Sequence, residues 1–235
     1  MRTGDAVANA SDPVLKEFLE LSIRYHRKTA TIYQSLVFLM RAEIAAESAP
    51  ELKTEIDKFE KYLEPYSLDY KTYFYGLLLF ALVADFEIYL VDIIKALIQR
   101  YPKKIGDVEF RLSEILDSTH DELITAAAED HLNRLMYKKP SEYLSDLAKL
   151  LAIDASPLTQ HWPKFIEAKA RRDLGMHNGW KMNDVYIRKL TEAGIPSPAA
   201  ESVMLPDIEY LHNALHACDD IVEIIEQQLT EKYAT

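Results

Sequence analysis

The stretch from Asp69 to Arg100, DYKTYFYGLLLFALVADFEIYLVDIIKALIQR, decides the fold. Tyr73, Leu77, Phe80, Val83, Phe86, Leu90, Ile94 and Leu97 recur at steps of three and four, and other apolar residues fill most of the remaining circumference. A helix that is apolar nearly all round is one that neighbours surround. Asp85, Glu87 and Asp92 interrupt the run, which leaves it short of the ~20 residues a membrane span requires. The segment therefore reads as the central helix of a bundle, with no membrane partner, and Tyr101-Pro102 ends it.

Helical signals continue on both sides. Upstream, Ser11-Asp12-Pro13 is a polar cap followed by proline at the first helical position, where the missing N–H is harmless. Val14, Leu15, Phe18, Leu21, Tyr25, Tyr33, Leu36, Val37 and Met40 then keep helical spacing as far as Ser48-Ala49-Pro50, and a polar helix from Glu51 to Leu63 stops before Pro65. These two elements read as a helical hairpin, an N-terminal arm over residues 1–66, laid against a bundle over 67–235. Downstream, the spacing predicts helices over Val108–Leu116, over Asp121–Tyr137 behind the capping-box pair Thr119 and Glu122, and over Glu142–Ile153 behind Pro140-Ser141. A further helix starts at Trp162-Pro163 and runs to Gly179, a left-handed stop. Val185–Ala193 follows, Ile195–Pro206 with its three prolines reads as a surface linker, and a last helix carries Ile208, Leu211, Leu215, Cys218, Val222, Ile225 and Leu229 as a core-facing seam. No segment alternates with β periodicity, so the expected class is all-α, an antiparallel helical bundle.

Composition agrees. A chain of 235 residues with 49% hydrophobic residues and only 6 glycines against 10 prolines fits one helical domain and is too short for two full catalytic ones. One cysteine, Cys218, cannot form an internal disulfide, and the opening MRTGDAVANASDP lacks the apolar core of a secretory signal, so the expected location is the cytoplasm. A net charge of −11 argues against indiscriminate binding to nucleic acid. From Lys164 to Lys189, however, seven basic residues face three acids, a window of +4.

That basic window holds Arg171-Arg172-Asp173-Leu174-Gly175-Met176-His177-Asn178-Gly179. Asp173 and His177 are four apart and share a helix face, so the carboxylate is placed to bond one imidazole nitrogen and fix the tautomer of a ring that can take or give a proton. Arg172 lies about 140° from His177 around the axis. Its planar fork pairs two phosphate oxygens at once, and Gly175 between them leaves room for a backbone or ligand to approach. The plain alternative is that cations near a helix C-terminus are favourable in any protein.

Arg172-Asp173-x-x-x-His177-Asn178 resembles the R-x4-6-H motif of the HEPN superfamily, in which a polar residue commonly follows the arginine. His177-Asn178-Gly179 followed by Asp184-x-Tyr186 is similar to the RiboL-PSP-like and related branches found in bacterial defence. Phe86-Glu87-x-Tyr89-Leu90 resembles their acidic-aromatic signature on an early helix. The likeness spans roughly Asp69 to Tyr233 and leaves the N-terminal arm outside. It implies a HEPN-like bundle acting as a metal-independent endoribonuclease with no cofactor, a toxin or antiphage-defence effector. Arg172, His177 and Asp173 would be catalytic. Arg171, Asn178, Lys169 and Lys181 would bind RNA, and Glu87 would support the site by pairing with a motif arginine. One motif brings one histidine, whereas 2′-OH attack needs a base and an acid, so a homodimer is expected. An antitoxin or other defence partner is a further implication. The rival reading is a non-catalytic HEPN-like module that binds nucleotide, RNA or protein with the same surface.

Other candidates carry less. His212 and His216 are four apart with Cys218 beyond them, donors that suit part of a zinc site, but neither an HExxH pattern nor paired cysteines accompany them, and Cys218 lies on the apolar seam as a packing residue. Trp180 and Tyr186 flank the motif and suit either base stacking or core packing.

Overall fold

The computed structural model describes residues 12–63, 70–136, 138–198 and 202–233. Among these the chain is all-α, with nine α-helices and no sheet. The helices are α1 (Pro13–Ser48), α2 (Pro50–Leu63), α3 (Tyr70–Arg100), α4 (Leu112–Asp117), α5 (His120–Met136), α6 (Pro140–Leu151), α7 (Trp162–Asn178), α8 (Asp184–Glu192) and α9 (Ile208–Tyr233). None of them is long and apolar enough to cross a membrane.

α3 is the axis of the molecule. Leu79, Leu82, Val83, Phe86, Ile93, Ile94, Leu97 and Ile98 have no exposed surface, and each such side chain contributes about 1.5–3 kcal/mol by leaving water. Because α3 is apolar on almost every side, it needs cover on almost every side. It packs against α1, α5, α7 and α9. A chain of aromatic contacts crosses the bundle from α1 to α6: Tyr25 to Phe86 (6.0 Å between centroids), Phe86 to Phe165 (4.5 Å), Phe165 to Trp162 (5.2 Å) and Trp162 to Tyr143 (5.0 Å).

The first helix belongs to that core. Val14, Phe18, Leu21, Tyr25, Ile32 and Leu36 share one buried cluster with α3 and α9, and the Phe18 ring sits 5.9 Å from that of Tyr233. The boundary expected at residue 66 therefore does not separate two cores. α1 is a wall of the bundle, and only α2, with no buried side chain among its described residues, keeps the character of an arm. The start of α1 is as read from sequence: Asp12 accepts from the amides of Val14 (2.6 Å) and Leu15 (3.2 Å) ahead of Pro13.

Local signals set most other boundaries. The Thr119 and Glu122 capping box closes in both directions, Thr119 N donating to Glu122 at 2.7 Å and Glu122 N to Thr119 Oγ1 at 3.3 Å. Gly179 ends α7 with φ +54°. Two expectations shift. Gly106, at φ +82°, turns the chain out of the short 3-10 turn at Pro102–Ile105, and residues 107–111 stay non-helical, so α4 begins only at Leu112 and buries none of its described side chains. The segment read as a loose surface linker is partly strapped down: Lys181 and Val203 form an isolated β-bridge, Met204 N donates to Trp180 O at 2.8 Å, and Pro206 is buried.

Candidate functional site

α7 is held on two sides, and this decides where its charged residues go. Phe165, Ile166 and Ala168 enter the main core, while Ala170 and Leu174 join Tyr186 and Leu190 in a small cluster under α8. The polar residues between these stripes point in three directions.

Arg172 points at α3. Its Nη2 donates to Glu87 Oε2 at 3.0 Å, and its Nε lies 3.0 Å from Asp173 Oδ1. Lys169 Nζ sits 2.5 Å from the other Glu87 oxygen, and Lys189 Nζ donates to Asp173 Oδ2 at 2.9 Å. The side chains of Lys169, Arg172 and Glu87 are only 14–17% exposed, so these charges are held in place rather than waving in water. They line a cleft of about 660 Å³ that also takes in Lys138 and Lys139 from the α5–α6 junction and Arg188 and Lys189 from α8. Six cations and three carboxylates (Glu87, Asp173 and Glu192) line it, giving a surplus of positive charge in an acidic protein. Lys139 and Arg188 are exposed and form no ion pair among the described residues.

His177 lies elsewhere. It occupies the last turn of α7, is exposed, makes no hydrogen bond or ion pair among the described residues, and does not line the cleft. The bond expected from Asp173 to His177 is not formed. Both carboxylate oxygens of Asp173 face cations instead, and charge-assisted contacts outcompete one to an imidazole. Asn178 closes the turn after α7 by donating to Lys181 O at 2.6 Å, and the Lys181 side chain is exposed at the same end.

Arg171 points away from both. Its Nε donates to Glu167 at 2.7 Å, and its guanidinium lies 3.7 Å over the ring of Tyr210. Glu167 also accepts from the hydroxyls of Tyr186 and Tyr210. Burial, reinforced by that carboxylate, pushes both phenols above their ordinary range, so they remain donors. Arg171 thus braces α7 against α8 and α9 and is not placed to guide RNA.

The space at Gly175 is likewise taken. A Cβ there would sit 2.5 Å from the Trp180 ring, and one at Gly76 of α3 would sit 2.8 Å from it. Trp180, at φ +65°, lays its indole across both glycines and stacks on Phe80 at 5.6 Å with a 9° interplanar angle. Tyr186 is buried. Core packing, not base stacking, occupies these two aromatics. Cys218 is also fully buried, which removes it from any site with His212 and His216, and no group of three or more His, Cys, Asp or Glu among the described residues is placed to hold a metal.

The structure thus gathers Lys169, Arg172, Asp173 and Glu87 in one cleft and leaves His177, Asn178 and Lys181 together at the exposed end of α7. Sequence reasoning missed Lys138 and Lys139, more than thirty residues from Arg172. The only local trace was a Lys-Lys-Pro at a helix junction. Compared with protein-family models, curated proteins and solved structures, the chain matches none.

Proposed function

We propose that this protein is a HEPN-type, metal-independent endoribonuclease, acting as a homodimer in the cytoplasm as a toxin or antiphage-defence effector. The observation that carries the reading is the pairing of a braced arginine with a free imidazole on one helix. Glu87 holds Arg172 at the floor of a cation-rich cleft, and His177, five residues on, is exposed with no partner among the described residues. The resemblance at Arg172-Asp173-x-x-x-His177-Asn178 supplies the reaction class.

In this reading the cleft cations seat the RNA backbone and Arg172 stabilises the charge that builds on the scissile phosphate during 2′-OH attack. Lys189 and Arg172 neutralise Asp173, which serves as the anchor that orients the guanidinium rather than as a partner of His177. His177 moves the proton, and a second copy supplies the second imidazole, so one ring removes the hydroxyl proton while the other protonates the leaving 5′-oxygen. The products are a 2′,3′-cyclic phosphate and a 5′-hydroxyl. Incubation with RNA in excess chelator, followed by end-group analysis, tests this. Cleavage with those ends, lost in His177→Ala, is expected; intact RNA overturns it.

One observation favours the second reading, a non-catalytic HEPN-like module for nucleotide, RNA or a protein such as an antitoxin. Arg172 is already engaged by two carboxylates, and His177 does not line the cleft. Binding to RNA without cleavage is its expected outcome.

A further inference from the structure

His212 and His216 take no part in the cleft. They sit one turn apart on α9, and both are exposed. Their rings nevertheless converge: Nε2 lies 3.1 Å from Nε2, the centroids are 4.3 Å apart, and the planes meet at 75°. A hydrogen bond at that distance leaves one of the two nitrogens bare and the other protonated; an ion between them takes that proton's place, the donor ring then carrying its proton on Nδ1 so that both Nε2 atoms ligate.

The separation is that of two ligands on one ion. Imidazole nitrogens lie about 2.0–2.1 Å from zinc, and two of them 3.1 Å apart subtend about 100° at the ion, near the tetrahedral angle. We propose that His212 and His216 form a two-ligand surface site for a borderline divalent transition-metal ion of the zinc and copper class. Imidazole selects these ions over magnesium and calcium, which take oxygen. The Tyr33 ring of α1, 6.4 Å from that of His212, flanks the site. Of the carboxylates on the following turn, Asp219 faces His26 and Asp220 faces His161. With no third protein ligand among the described residues, the remaining positions belong to water or an incoming ligand, and the ion exchanges rather than staying locked in place.

Calorimetric titration of the full chain with zinc chloride in chelator-free buffer tests this. Saturable binding is expected, weakening as pH falls because protons compete for the same nitrogens. His212→Ala and His216→Ala should each lower affinity at least about tenfold, or 1.4 kcal/mol. Both positions are exposed on a helix, where alanine is the best former, so the fold should persist, as circular dichroism would show. A register variant, His216→Ala combined with Asn213→His, keeps the number of imidazoles but places them on adjacent residues, which do not face each other; it should lose binding as well. Zinc affinity unchanged in any of these variants, or no saturable binding by the parent chain, overturns the proposal. RNA cleavage by the His177 site is measured in chelator, so failure of one reading is distinguishable from failure of the other.

Discussion

His177 and Arg172 differ in how tightly the fold holds them, and the difference predicts different behaviour on substitution. His177 is exposed and makes no hydrogen bond or ion pair among the described residues, so His177→Ala should leave the unfolding midpoint unchanged while lowering the proposed RNA cleavage about 10² to 10⁴-fold, the range for removing a proton carrier. Melting curves and single-turnover cleavage on the same samples check both halves. Glu87 is the opposite case. It faces Lys169 and Arg172 with little solvent, and Glu87→Gln leaves Lys169 without its counter-charge and Arg172 with Asp173 alone. A stability loss toward the lower end of the roughly 3–5 kcal/mol seen for broken buried pairs is expected by chemical denaturation. Asp219, on α9, titrates in the direction opposite to most acids. Burial raises its carboxyl pKa, with His26 and the hydroxyls of Thr29 and Tyr25 opposing the shift. An acid raised in the folded state binds more protons there than in the unfolded state, so its contribution to stability is fully present below the unfolded value of about 3.9 and is lost as pH rises through the folded value. Asp219→Asn should therefore flatten the decline of stability with pH across the mildly acidic range, and at pH 7 its melting temperature should be no lower than that of the parent.

Among the elements, the end of α7 shows how a local sequence choice answers to a distant helix. Replacing a mid-helix glycine by alanine ordinarily gains up to about 1 kcal/mol. At Gly175 the sign should reverse, because the new Cβ would meet the Trp180 ring at 2.5 Å and overpacking costs about 1–3 kcal/mol. Denaturant unfolding of Gly175→Ala should show a net loss, and the same change in a Trp180→Ala background should not. This packing also marks where the sequence stopped being readable. Asp12 with Pro13, Thr119 with Glu122, and Gly179 announce themselves within a few residues, since caps and left-handed stops are local chemistry. Gly175 gives no sign that an indole five residues later will fill its space, nor Asp173 that Lys189 will take its carboxylate from His177. Glu87 was legible through the resemblance of Phe86-Glu87-x-Tyr89-Leu90 to an acidic-aromatic signature, not through its spacing from Arg172, which lies 85 residues away. Lys138 and Lys139 were not, because only the tertiary fold brings them beside Arg172.

At the level of the whole molecule, the all-α architecture was legible from the apolar circumference of α3, which demands helices around it. That α1 would be one of them was not, because a hairpin laid on a bundle and a wall of that bundle share one periodicity. The charge pattern makes a prediction at this scale too. If the cleft carries RNA, Lys139→Ala with Arg188→Ala should weaken single-stranded RNA binding and make it less sensitive to salt, lowering the slope of log affinity against log salt by about 0.7 for each phosphate that is no longer neutralised. Fluorescence anisotropy at several salt concentrations measures it, and an unchanged slope would place the RNA elsewhere. The meeting of Phe18 with Tyr233 has a consequence for biosynthesis. α9 shares one core with α1 and α3, so a ribosome-tethered polypeptide still lacking residues 208–233 has an open hydrophobic seam, and the packing of that core has to await the emergence of α9 from the exit tunnel.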